Sequence, residues 1–200
     1  MISHKHKIIF IHIPKTAGTS IDNFFTGSFQ RHSCAKDYQS YLKDIIFKEY
    51  FKFTVVRNPW DLIVSLYSMI TKRQELGHEH EIKTFGKNTF EKFVKQLVFE
   101  KHISGSGLPT NYSESFDSMC QLNWIKDLSN EICMDHIIRF ENLQEDFNIV
   151  CDKIKIPKTK LPNRNPTKHK HYTEYYDAEA REIIAEKYAE DIEYFNYKYG

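Results

Sequence analysis

The 200-residue sequence has no marked excess of charge of either sign and no long apolar run. Its 28 lysines and arginines nearly cancel its 27 aspartates and glutamates, so net charge predicts neither nucleic acid nor a membrane surface as a partner. No apolar stretch approaches the roughly 20 residues of a membrane-spanning helix. His12 and Pro14 interrupt the apolar run near the N-terminus, which therefore differs from a signal peptide. We expect no transmembrane segment.

Cysteine is also scarce, and its spacing excludes the common metal and disulfide patterns. The four cysteines lie far apart, without a C-x-x-C pair or a histidine at ligand spacing; they are Cys34, Cys120, Cys133 and Cys151. This favours reduced thiols over disulfides or zinc, so we expect a cytoplasmic protein without a metal site. The length suits one domain over residues 1–200, and no repeat or low-complexity tract divides it.

The most informative stretch covers residues 8–21 and reads IIFIHIPKTAGTSI. Five of its first six residues are apolar and mostly β-branched, which predicts a buried strand. Pro14 ends that strand because proline has no N–H to donate to a neighbouring strand. Ile21, Phe24 and Phe25 then recur at helical spacing, which predicts a helix directly after a short loop.

The loop between this strand and helix has the composition of an anion-binding turn. The first N–H groups of a helix are unpaired, and the helix dipole adds about half a positive charge there. Lys15 adds a full positive charge at the tip of the loop. We expect a phosphate-like group to bind the six loop residues, which are Lys15, Thr16, Ala17, Gly18, Thr19 and Ser20.

The loop does not match the ATP-binding motif G-x-x-x-x-G-K-[ST]. When the two are aligned on Gly18, the first glycine position is Ile13 and the lysine position is Thr19. The loop lysine instead precedes the glycine by three residues. The motif therefore opposes an ATP site, although a kinase-like loop and a plain helix cap remain alternatives.

A second strand-to-helix junction lies at Arg57. Residues 53–56 predict a strand, and Arg57 follows at its carboxyl end, where ligands bind in open α/β sheets. Asn58 is suited to cap the next helix and Pro59 to its first turn. Ser65 lies about two turns along that helix, so Arg57 and Ser65 can hold one phosphate between them. The alternatives are an arginine paired with a carboxylate and a serine that faces solvent.

Weaker patterns outline the remaining elements. A second helix is predicted to start after Ser33, with its apolar positions reaching Ile46. Residues 71–87 are charged and irregular, which indicates a solvated loop. A strand is predicted at 136–140 and is followed by a helix. Asp177 is predicted to cap the last helix of the chain.

The two junctions together resemble those of sulfotransferases that use 3′-phosphoadenylyl sulfate (PAPS), especially the bacterial and carbohydrate-type enzymes. HIPKTAGTS is similar to their 5′-phosphosulfate loop, and R-N-P-x-D-x-x-x-S, from Arg57 to Ser65, to their 3′-phosphate motif. DSMCQLNWIKD and IIRFENLQEDF also resemble the bacterial sequences, so the likeness spans most of the chain. The fold implied is α/β, with three layers in a P-loop-like plan and a mostly parallel central sheet flanked by helices.

The resemblance also implies an activity and a set of site residues. The enzyme moves a sulfuryl group from PAPS to the hydroxyl of an acceptor, a carbohydrate or glycolipid, and releases adenosine 3′,5′-bisphosphate. Lys15 and the loop N–H groups face the leaving oxygen, while Arg57 and Ser65 bind the 3′-phosphate. Lys168 and Lys170 belong to PTKHKHY, which occupies the place of the family's late nucleotide-covering loop; a solvated basic turn is the alternative.

The acceptor hydroxyl also needs a base, for which His32 is our candidate. Some glycan sulfotransferases place a histidine between the two PAPS motifs, and His32 is the only histidine in that interval. Its predicted position beside a helix N-terminus favours the neutral imidazole; a surface histidine is the alternative. Glu49 is less suited, because it lies at a charged helix end. His12 is expected to be a buried, hydrogen-bonded strand residue.

Two other functions fit the same motifs. A nucleotide-binding module without catalytic activity needs the same phosphate-binding residues, and an ATP-dependent kinase needs ATP and magnesium. A transferring sulfuryl group carries less negative charge than a phosphoryl group, so magnesium is not obligatory for the sulfotransferase.

Overall fold

The computed structural model describes residues 1–25, 33–99, 120–162 and 169–200, and they form two compact units. The first, called the sheet unit, comprises Met1–Arg57 and Gln121–Pro166. The second, called the helical unit, comprises Asn58–Cys120 and Thr167–Gly200. That residues 1–200 form one domain stays a prediction.

The sheet unit is built on four strands in the spatial order β1-β2-β3-β4. Their bounds are Ile2–Ser3, Ile8–Ile11, Phe51–Val56 and His136–Arg139. β1 is antiparallel to β2, whereas β2–β3 and β3–β4 are parallel pairs. In the register, Phe10 lies opposite Phe53 and Val56 opposite Arg139. The predicted α/β fold with a mostly parallel sheet is confirmed.

The helices of the described residues follow the strands along the chain. In chain order, α1 to α5 are Gly18–Phe25, Ala35–Tyr41, Asp44–Glu49, Pro59–Glu75 and Glu79–Phe85. α6 to α10 are Phe90–Phe99, Gln121–Ile125, Leu143–Lys153, Ala178–Lys187 and Ala189–Phe195. None of these helices is long and apolar enough to cross a membrane.

The core of the sheet unit lies between the strands and two of its helices. Side chains from β2, β3 and β4 pack there against α1 and α8; they include Phe10, Phe53, Val55, Ile138, Ile21, Phe25, Phe147 and Val150. Every residue of β2 is buried, and successive strand residues point to opposite faces. Both faces of β2 are therefore covered, as expected for a parallel strand.

The helix predicted after Ser33 is wrong in its length. Leu42 and Lys43 adopt extended backbone, so the segment divides into α2 and α3. Tyr41 and Ile45, two of the expected core positions, are 76% and 62% exposed. Apolar spacing alone did not predict which positions are buried, because α2 and α3 are separate helices. Their buried residues include Tyr38 in α2 and Phe47 in α3.

The solvated loop predicted over residues 71–87 is also wrong. α4 continues to Glu75, and α5 follows after a turn at Gly77, which has a φ of +81°. Glu81 is buried, and its carboxylate lies 2.5 Å from the Arg73 guanidinium. The charged residues suggested solvent, whereas pairing with Arg73 allows this carboxylate to be buried.

The core of the helical unit joins α4, α6 and α9. Its buried residues include Leu62, Ile63, Leu66, Phe93, Val94, Leu97, Ala180, Ile184 and Tyr188. The predicted cap is confirmed, because the Asp177 carboxylate accepts the Ala180 N–H at 2.7 Å. The last helix is divided at Tyr188 into α9 and α10.

Candidate functional site

The loop after β2 forms a tight turn that leads directly into α1. Two hydrogen bonds close it: the Thr16 hydroxyl donates to the Ile13 carbonyl at 2.8 Å, and the Ser20 N–H donates to the Ala17 carbonyl at 2.9 Å. Thr16 is fully buried, whereas Lys15 is half-buried. The turn is therefore a packed part of the sheet unit, and the lysine at its tip stays accessible.

Two residues of this turn have left-handed backbone. Lys15 has a φ of +66° and Ala17 a φ of +68°, whereas Thr16 between them does not have a positive φ. For residues with a Cβ, such backbone costs on the order of 1–3 kcal/mol each. Alternating backbone of this kind turns successive N–H groups into one concavity, which is a known way of binding anions. The strain thus lies where the sequence predicts an anion.

Arg57, at the end of β3, reaches this turn with its side chain. Its guanidinium donates from Nη1 to the Lys15 carbonyl at 2.9 Å, and Cζ lies 3.9 Å from the centre of the Phe140 ring. The Gln121 amide holds the Arg57 main chain: Oε1 accepts its N–H at 2.8 Å and Nε2 donates to its carbonyl at 2.9 Å. Arg57 is therefore held by its backbone, by its guanidinium and by an aromatic face.

The charges of Lys15 and Arg57 affect each other. Burial, and secondarily the positive charge of Arg57, lower the pKa of Lys15 to about 8. No salt bridge joins Lys15 to a carboxylate of the residues that the structure describes. An anion bound beside both cations would relieve their repulsion. The electrostatics of the turn therefore favour an anionic ligand.

His12 is a buried residue that contacts α1 at Asp22 and at Gly18. Its ring is buried, and Nδ1 lies 2.7 Å from the Asp22 carboxylate on α1. A Cβ placed on Gly18 would lie only 2.1 Å from Cδ2 of this ring. Gly18 is thus required by close packing. His12 is buried and hydrogen-bonded as the sequence analysis expected, but it lies just beyond the end of β2 and is not a strand residue.

In the helical unit, Asn58 caps α4 and connects it to two other segments. Its side-chain oxygen accepts the Trp60 N–H at 3.1 Å, and Nδ2 donates to the Lys198 carbonyl at 2.9 Å. Nδ2 also lies 3.5 Å from the Tyr172 hydroxyl. The segment that follows the late basic stretch is therefore held beside the N-terminus of α4.

Two predicted phosphate-binding residues of the helical unit, Ser65 and Lys170, differ in exposure. Ser65, on α4, is only 2% exposed, so the alternative that it faces solvent is wrong. Lys170 is exposed, and its ammonium lies 3.6 Å from the Glu174 carboxylate. His32 and Lys168 lie outside the described residues.

The sequence analysis missed Gln121 and Phe140. Gln121 is a fully buried polar residue next to the apolar residues of α7, and Phe140 directly follows β4. Their only sequence signal was that both fall in the two later stretches of family resemblance. Nothing local indicated that Gln121 binds Arg57, because 64 positions separate them.

Potential metal ligands do not cluster at this site. Among the described residues, no group of three or more histidine, cysteine, aspartate or glutamate side chains is arranged to hold a metal ion.

Comparison with known proteins gave one match. The model of a family described as the sulfotransferase family matches residues 1–198. Neither the search of curated proteins nor the search of solved structures found a match.

We predict that Gly18→Ala destabilises the protein by about 1–3 kcal/mol, because the new methyl group would overlap the His12 ring. Within helices, alanine is otherwise favoured over glycine by roughly 1 kcal/mol. A loss of stability would therefore indicate overlap with the His12 ring. Urea denaturation measures it. In a His12→Ala background the same substitution should cost much less, and an equal cost in both backgrounds would show that the ring is not responsible.

Proposed function

Since the chain belongs to the sulfotransferase family, we propose that it moves a sulfuryl group from PAPS to an acceptor hydroxyl and releases adenosine 3′,5′-bisphosphate. Transfer of sulfuryl groups is the activity of the family, whereas the donor and the acceptor are our proposal. One observation carries it above all. The Arg57 guanidinium donates to the carbonyl of Lys15 in a turn whose backbone suits an anion.

The donor is proposed to bind through both of its phosphate-bearing ends. The 5′-phosphosulfate is assigned to Lys15, to the N–H groups of Thr16 to Thr19 and to Ser20, whose own N–H donates to the Ala17 carbonyl. The 3′-phosphate is assigned to Arg57 and Ser65, with Lys168 and Lys170 covering the nucleotide. A nucleoside with phosphate groups at both positions of one ribose suits this set, because the Arg57 guanidinium lies beside the Lys15 turn and donates to the Lys15 carbonyl at 2.9 Å.

In the proposed reaction, the acceptor oxygen bonds to sulfur as the bond from sulfur to the bridging oxygen breaks. The transition state of such transfers is loose and in line, so catalysis depends on positioning and on stabilising the developing charge. Negative charge builds on the bridging oxygen, which leaves with the 5′-phosphate. Lys15 and the loop N–H groups are proposed to stabilise that charge.

The proton of the acceptor hydroxyl needs a base, and His32 remains our proposal for it. It is the only histidine in the sequence between the two phosphate motifs. His12 is buried, and its Nδ1 lies 2.7 Å from the Asp22 carboxylate. It is therefore poorly suited to contact an acceptor hydroxyl. A hydroxyl of a carbohydrate or glycolipid is the proposed acceptor, from the branch of the family that the motifs resemble.

The donor assignment is tested by calorimetry with adenosine 3′,5′-bisphosphate and with ATP, each with and without magnesium. We expect the bisphosphate to bind more tightly, because the loop has Thr19 where an ATP site has lysine. Tighter binding of ATP would instead support a kinase.

Incubation with radiolabelled PAPS and a panel of glycans should then give labelled product. Binding of the bisphosphate without any transfer would favour the non-catalytic module.

Substitution of the proposed catalytic residues should lower turnover without abolishing folding. Lys15→Ala is expected to reduce kcat about 10²–10³-fold, as loss of one stabilising donor does, which corresponds to about 2.7–4 kcal/mol. His32→Ala is expected to reduce kcat about 10²–10⁴-fold, as loss of a general base does. Lys48→Ala removes an exposed lysine of α3 and serves as the control. Parental turnover in both variants would mean that the site is assigned wrongly.

Binding of adenosine 3′,5′-bisphosphate should weaken as the pH rises through about 8. The pKa of Lys15 is about 8 without ligand, and a bound anion raises it, so binding takes up a proton. The affinity contributed by this lysine is therefore complete below pH 8 and falls up to tenfold per pH unit above it. Calorimetry between pH 7 and 10 measures this fall. Lys15→Arg keeps its charge over that range and should flatten the profile; an unchanged slope would exclude Lys15 as its source.

A further inference from the structure

Gln121 makes an unusual contact at the candidate site. It is the first residue of α7, lies in the sheet unit and is fully buried. Its amide binds both polar groups of the Arg57 main chain, with Oε1 accepting the N–H at 2.8 Å and Nε2 donating to the carbonyl at 2.9 Å. A single side chain thus binds the main chain of Arg57 in the way that a neighbouring strand would.

Arg57 needs such a partner because it lies just beyond the paired part of β3. The pairing of β3 with β2 ends at Thr54, and the pairing with β4 ends at Val56. Buried main-chain polar groups are costly when they lack a hydrogen bond, and Arg57 is only 5% exposed. The Gln121 amide therefore extends the hydrogen bonding of the sheet by one residue.

The backbone held in this way determines where the guanidinium lies. From the end of β3 the Arg57 side chain passes the Phe140 ring, with Cζ 3.9 Å from its centre, and Nη1 donates to the Lys15 carbonyl at 2.9 Å. A chain of direct contacts thus runs from Gln121 through Arg57 to the turn that carries Lys15.

We propose that Gln121 is a positioning residue of the donor site, which holds the Arg57 backbone so that the guanidinium reaches the Lys15 turn. It acts through Arg57 and contacts neither donor nor acceptor itself. The role at the donor site rests on the proposed function, whereas the effect on Arg57 and Lys15 can be measured without any ligand.

The ligand-free test is an NMR titration of the Lys15 ammonium. Burial, and secondarily the charge of Arg57, lower the pKa of Lys15 to about 8. In Gln121→Met the guanidinium should move away, and the pKa of Lys15 should rise by the part that Arg57 contributes, while the larger effect of burial remains. Gln121→Asn keeps an amide that is too short for both contacts and should act in the same direction; it replaces the methionine variant if that one does not fold.

Gln144→Met is the matched control for this titration. Gln144 also binds main chain through both ends of its amide, with the Leu161 N–H at 2.9 Å and the Thr159 carbonyl at 3.2 Å. Its loss should lower stability without changing the pKa of Lys15. A Lys15 pKa that does not move in the folded Gln121 variants would overturn the proposal.

A double-mutant cycle then measures the effect on affinity for adenosine 3′,5′-bisphosphate. Gln121→Met is expected to weaken binding about tenfold in the parent and less than about twofold in an Arg57→Ala background, because the effect passes through the guanidinium. An equal loss in both backgrounds would show a merely structural role and overturn the proposal. If the parent did not bind the bisphosphate, the proposed donor would be wrong, and the Lys15 titration would still decide the role of Gln121.

Discussion

The arrangement of the candidate site depends on two positive side chains held together at one edge of the sheet. β2 and β3 are parallel neighbours, so their carboxyl ends meet at the same edge, which is where α/β sheets bind ligands. Lys15 lies in the loop after β2, and Arg57 directly follows β3. Burial, and secondarily the repulsion between the two cations, lower the pKa of Lys15, and an anion suits such a pair as a ligand.

Both sides of this pair are supported by packing and hydrogen bonds. The Lys15 turn retains left-handed backbone at two residues that have a Cβ, and the close contact of Gly18 with the His12 ring holds its exit into α1. Arg57 is held by the Gln121 amide and the Phe140 ring. A rigid surrounding of this kind is what allows strained backbone and like charges to persist at a functional site.

Some of these features could be predicted from the sequence, because they depend on neighbours along the chain. The strand before Pro14, the helix that begins at Gly18 and the cap by Asn58 each follow from a few adjacent residues. The same local reasoning failed at α2, α3 and α5. There the exposed faces of Tyr41 and Ile45 and the burial of Glu81 depend on which distant side chains pack against them.

The sequence by itself determined the two phosphate-type motifs, the local elements that carry them and, through them, the family resemblance. Only the tertiary structure decided that the Arg57 guanidinium binds the Lys15 carbonyl and that Gln121 binds the Arg57 main chain. It also decided that the His12 ring leaves no room for a side chain at Gly18. The first two contacts join residues 42 and 64 positions apart. They depend on the order and register of the strands, which hydrophobic spacing within a short segment does not encode.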